Sequence, residues 1–92
     1  MSDKTTLTLP EQLDISQVDS LKDRMDKSLA KDVSIFELSA DKVERVDSAG
    51  IQLLLSFKNA VKEANKEFKL LKPSDEFLAA ADLLGTTELL EL

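Results

Sequence analysis

The start of the chain alternates polar and apolar residues, as a strand with one buried face does. Residues 6–9 alternate strictly, and the alternation resumes after Pro10 through Leu13 and Ile15. Two short strands or one bent strand would both produce this pattern.

Further along the chain, apolar residues recur at helical spacing in three segments. These segments predict three helices, at about residues 17–30, 48–65 and 74–85. Ser74 suits the N-cap of the third helix, and Gly85 suits its C-terminal cap. One short final turn is expected to follow and to reach Leu92.

Segments rich in β-branched and aromatic residues lie between the predicted helices. They predict strands at residues 33–38 and 68–71, and Val43 and Val46 form a strand-like stretch that leads into the second helix. Strands that alternate with helices favour an α/β fold with parallel neighbours among the later strands. We therefore expect a single domain, residues 1–92, in which a mixed sheet of four to five strands packs against three to four helices.

The composition narrows the possible chemistry. The chain carries 18 acidic and 12 basic side chains, a formal charge of −6, so nucleic acid and anionic membranes are poor candidate partners. It has neither His nor Cys, and it therefore lacks the usual general base, thiolate nucleophile and zinc ligands. We expect a protein that is not an enzyme and that uses no metal or cofactor.

Hydropathy also bears on location. No apolar run approaches the roughly 18 residues of a membrane-spanning helix. The polar start of the chain has no signal-peptide core. We expect a cytoplasmic protein without direct membrane insertion.

The candidate functional chemistry lies at the junction of Asp47, Ser48, Ala49 and Gly50, where a strand-like stretch meets the second predicted helix. The N–H groups at a helix start lie at its positive dipole end, where a phosphate or a partner's carboxylate can dock. Ser48 adds a hydroxyl. Helix capping alone would also account for Asp47 and Ser48, so both interpretations stay open.

The second predicted helix has an apolar arc wide enough for a core face, but Ile51 and Leu55 fall outside it at 100° per residue. They lie beside Lys58 and Lys62, on the flank that begins at the 47–50 junction. We interpret them as a small docking patch. Coverage by a loop or by the C-terminal turn is the alternative.

In this order of elements, the chain resembles the STAS domain, a family named for sulfate transporters and anti-sigma factor antagonists. The resemblance covers nearly the whole chain and implies a STAS-like α/β fold. It rests on Leu13-Asp14, on Ile-Phe-Glu-Leu-Ser at 35–39, on Val-Asp-Ser-Ala-Gly-Ile at 46–51, and on Leu-Leu-Gly at 83–85 before a short helix.

The resemblance implies a bacterial signalling protein that binds an anti-sigma factor or a serine- or histidine-kinase-like ATPase. In the family's antagonists, the hydroxyl whose phosphorylation releases the partner directly precedes the Gly, and that position is Ala49 here. Either Ser48 has taken this role or the chain is not phosphorylated. Asp14 matches an acidic residue often found near the partner surface, although a turn role would also explain it.

A second function is also implied. Some relatives that serve as cytoplasmic accessory subunits of ABC lipid transporters carry their hydroxyl at the position of Ser48, and the partner would then be a transporter ATPase. Under either function, the predicted partner-binding residues are Asp14, Asp47, Ser48, Ala49, Gly50, Ile51 and Leu55.

Overall fold

The chain alternates strands and helices as its hydrophobic pattern predicts, and the strand-like stretch before residue 47 forms one additional short strand. The computed structural model describes residues 3–90, so both ends of the expected 1–92 domain, including the last residues of the expected final turn, lie outside the described residues. The elements are β1 (Lys4–Thr8), β2 (Gln12–Leu13), α1 (Val18–Leu29), β3 (Ile35–Ser39), β4 (Arg45–Val46), α2 (Ser48–Glu63), β5 (Glu67–Leu71) and α3 (Asp75–Leu83).

The strands form two parallel sheets that follow one another along the chain. β1, β3 and β5 make a three-stranded sheet in the order β1-β3-β5, and β2 pairs with β4, with Leu13 opposite Val46. β1 leads to β2, and β3 leads to β4, so the β2–β4 pairing continues the β1–β3 pairing beyond an interruption. Pro10, which has no N–H to donate, lies in that interruption. The N-terminal alternation therefore corresponds to two strands.

The predicted α/β class is confirmed, with five strands and three helices within residues 3–90. Parallel neighbours were expected only among the later strands, but all three strand pairs among residues 3–90 are parallel, and the strands lie in two sheets. Helical crossovers explain this arrangement, because a strand that follows a helix returns in the same direction as the strand before it.

The core lies between the three-stranded sheet and the helices. Phe36 on β3 and Phe68 on β5 stand side by side in register, and Phe57 on α2 packs edge-on against both, with ring centroids 6.2 and 6.3 Å away. Edge-to-face contacts of this kind suit the charge distribution of aromatic rings. These contacts hold α2 above β3 and β5.

The helix ends are set by local chemistry. The Ser74 hydroxyl accepts from Phe77 N at 3.1 Å, and Gly85 has a φ of 70° after α3, so both predicted caps are confirmed. Asn65, with a φ of 61°, ends α2 in the same left-handed way.

Candidate functional site at the start of helix α2

Gly50 seats the first turn of α2 directly on β2. A Cβ atom at this position would lie 2.1 Å from the Leu13 carbonyl oxygen and 2.8 Å from the Leu13 carbonyl carbon. Only a residue without a side chain allows this approach. The sequence places Gly50 and Leu13 far apart, and the β2–β4 pairing brings them together.

The carboxylate of Asp47 joins two segments of the chain. Its Oδ1 accepts from Gly50 N at 2.9 Å, which caps α2, and its Oδ2 accepts from Ile15 N at 3.1 Å in the turn after β2. The backbone of the two segments is also bonded, from Asp47 N to Leu13 O at 3.2 Å. The turn at residues 14–17 and the 47–50 junction therefore form one surface.

These hydrogen bonds lower the pKa of Asp47 below its ordinary value of 3.8. The bond from Gly50 N is the largest cause, partial burial opposes it, and the bonds from Ile15 N and Ala49 N add to the lowering. The side chain therefore remains a carboxylate at neutral pH. It supplies its own negative charge at the positive end of α2, where the sequence also allowed docking of an external anion.

Asp14 shapes the neighbouring turn. Its Oδ1 accepts from Ser16 N at 3.0 Å and from the Ser16 hydroxyl, and its carbonyl accepts from Gln17 N at 3.0 Å. This is the turn role that the sequence also allowed. The side chain is half-buried and lies in the segment that Asp47 holds.

Ser48 and Ala49 complete the junction. Ser48 is exposed at the first position of α2, and Ala49 is half-buried. The Ser48 hydroxyl, the predicted site of modification, is therefore accessible. Ser48 directly follows Asp47 in the chain.

The prediction that Ile51 lies on an exposed patch is wrong, since its side chain is only 1% exposed. Leu55 is half-buried and packs against the same core cluster. The ammonium group of Lys58 donates to the Leu89 carbonyl, which places the C-terminal turn along this flank of α2. A helical wheel includes only the periodicity of the helix itself, so it cannot show a segment that returns from elsewhere.

Ile15 is the surface residue that the sequence did not identify. Its position two residues after buried Leu13 in the alternating pattern predicts a buried side chain, but Ile15 is 72% exposed. The strand ends at Leu13, and the following turn directs Ile15 outward beside Asp47. Asp14 was the one turn signal at this point of the sequence, and the alternation through Leu13 and Ile15 outweighed it.

Residues 3–90 contain neither a metal-binding cluster nor a membrane-spanning helix. Their acidic side chains form no group of three that could hold a metal ion. Within the same residues, every helix is too short or too polar to span a bilayer.

Comparison with known proteins supplies the family. The model of a STAS domain family described as "Mlab, STAS domain" matches residues 1–91. No curated protein matches the sequence significantly. Among solved structures, the unphosphorylated form of the anti-sigma factor antagonist SpoIIAA superposes with a TM-score of 0.75 at 17% identity, over 94% of this chain and 76% of that chain. At this identity the similarity establishes a shared fold.

Proposed function

The chain belongs to the STAS domain family, and on that premise we propose that it is a non-enzymatic interaction domain that binds a partner protein at the start of α2. One observation carries this proposal: the Asp47 carboxylate ties the turn at Ile15 to Gly50. Two distant segments thereby form one rigid surface, and a rigid surface loses little conformational freedom on binding.

This surface contains the features that a small protein interface needs. Ile15 offers an exposed apolar side chain. Asp14 precedes it in the chain, and Ser48 follows Asp47, whose carboxylate accepts from Ile15 N. Interfaces commonly combine an apolar centre with a polar rim. Ile51 is excluded from the contact surface by its burial, and Leu55 is retained at its edge as a half-buried contact.

We propose an anti-sigma factor or a kinase-like ATPase as the partner, with Ser48 as the regulated residue. A phosphate on Ser48 would add about −1.5 to −2 charges next to Asp47. The Asp47 carboxylate already accepts the N–H groups of Ile15 and Gly50, so a second anion would meet repulsion. The phosphorylated form would then release an acidic partner surface.

The partner is first captured from the native cell by affinity, identified as an ATPase and purified. Its binding to this chain is then measured by calorimetric titration. We expect Ile15→Ser to weaken binding about tenfold or more, because hot-spot truncations at interfaces have this size. Ser48→Glu should also weaken binding, because it places a second negative charge next to Asp47. The matched controls are Leu83→Ser and Ser20→Glu, at exposed positions on α3 and α1. Equal losses in test and control variants would contradict the proposed surface.

Phosphate-affinity gels address the regulation separately. Wild type incubated with the partner and ATP should give a shifted band, and Ser48→Ala should not. A shift that persists in Ser48→Ala, or no shift in wild type, would refute phosphorylation of Ser48 while leaving the interaction surface untouched.

A second function is favoured by one observation. The matching family model is described as Mlab, and the hydroxyl of this chain lies at Ser48, with Ala49 at the usual phosphosite. We propose as the alternative an accessory subunit of an ABC lipid transporter on its cytoplasmic side. A transporter ATPase in the captured complex would support this alternative, and a histidine-kinase-like ATPase would refute it.

A further inference from the structure

β1 is an outer strand, and within residues 3–90 no other strand pairs with its outer edge. Leu9 N donates to Ser39 O, and Ile35 N donates to Asp3 O, so the odd-numbered residues of this segment direct their backbone groups toward β3. In a parallel ladder the even-numbered residues then direct theirs outward. The outward residues are Lys4, Thr6 and Thr8, and all three are exposed.

One flank of α1 lies along this edge and is basic. Arg24 Nη2 donates to the Thr8 carbonyl at 2.8 Å, and Lys31 Nζ donates to the Thr5 hydroxyl at 3.1 Å. Lys27 is three residues from Arg24 and four from Lys31, which places it on the same flank. The three cations are exposed, in a chain whose formal charge is −6.

The acidic groups beside the edge already have partners within the fold. Asp3 accepts from Ser34 N at 3.1 Å. Glu37, on β3, accepts from the Thr6 hydroxyl at 2.9 Å and lies 3.6 Å from Lys4 Nζ. Neither carboxylate forms an ion pair with Arg24, Lys27 or Lys31 within residues 3–90, so these two groups do not neutralise the positive charge along α1.

We propose that the outer edge of β1 receives an extended acidic segment of a partner protein as an added strand. Strand addition uses backbone hydrogen bonds for affinity, and the row of cations determines the charge of the segment that fits. A second copy of this chain fits less well, because antiparallel pairing of two β1 strands would bring the two basic flanks together. None of these residues belongs to the proposed surface at the start of α2, which consists of Asp14, Ile15, Asp47, Ser48 and Leu55, so the two sites are independent.

A defined peptide tests the proposal on the full chain. The probe is a blocked peptide of about seven residues that alternates Glu and Val, long enough to cover a five-residue strand. We expect saturable binding, with slowed hydrogen exchange at the amides of Lys4, Thr6 and Thr8. The outward amides of β5, those of Phe68 and Leu70, serve as the internal control.

Two further comparisons separate strand addition from simple charge attraction. The same peptide with alternate N-methylated amides keeps its charge but cannot form the ladder, and it should not bind. Lys27→Glu should weaken binding about fivefold, and Lys42→Glu, an exposed charge reversal elsewhere, by less than about twofold. Absence of binding, equal binding of the methylated peptide, or equal protection of β5 would each overturn the proposal.

Discussion

Replacing Gly50 with Ala tests how α2 is seated on β2. The added Cβ would lie 2.1 Å from the Leu13 carbonyl oxygen, about 1.3 Å inside the 3.4 Å at which ordinary contact begins. The obstructing atom belongs to the main chain, so no side-chain rotation can relieve the overlap. The helix start or β2 must move.

The size of the effect follows from two opposing terms. Overpacking of this kind costs about 1–3 kcal/mol, and we expect the upper end because the obstacle is backbone. Ala favours a helix over Gly by about 1 kcal/mol. The free energy of unfolding should therefore fall by about 2 kcal/mol, which for a domain of this size lowers Tm by about 8–16 °C.

Urea unfolding followed by circular dichroism measures this change, and Gly85→Ala is the control. Gly85 has a φ of 70°, but no atom lies within 4 Å of the position that its Cβ would take, so its substitution should cost only the left-handed strain of about 1–2 kcal/mol. A Gly50→Ala protein within about 0.5 kcal/mol of wild type would refute the close approach of α2 to β2.

Three smaller predictions concern single contacts. Ser74→Ala removes the cap of α3 and the bond to the Val43 carbonyl, and should lower the unfolding free energy by about 1–2 kcal/mol in urea titrations. Asp47→Asn keeps the shape of the cap but not its charge. Because the pKa of Asp47 is lowered in the folded state, its carboxylate stabilises the fold at pH values above its ordinary pKa. This stabilisation is lost as the pH falls through the folded-state pKa. The free energy of unfolding of the variant, measured from about pH 7 to pH 3, should therefore depend less steeply on pH. A slope unchanged from wild type would contradict this assignment. Lys58→Met removes the contact to the Leu89 carbonyl and should accelerate hydrogen exchange at Leu90 while leaving α1 unchanged.

The sequence determined the features that depend on neighbours along the chain. The helices, their caps at Ser74 and Gly85, and the strand at 35–39 all follow from periodicity and local backbone chemistry. The STAS resemblance, confirmed by the family match, rests on residues of the same local kind. The Asp47–Gly50 junction was identifiable because an acidic cap and a Gly at a helix start have a local signature.

Contacts between distant segments depend on the tertiary fold. Hydrophobic periodicity specifies which face of an element is apolar, but not which segment will cover the rest, so Ile51 was assigned to the surface although the C-terminal turn lies along its flank. Ile15 was assigned to a strand although its turn leaves it exposed. The contact of Gly50 with Leu13, and the bond from Ile15 N to Asp47, arise from pairing between segments more than thirty residues apart. Such pairings are selected by the packing of the whole core, a property that no local pattern contains.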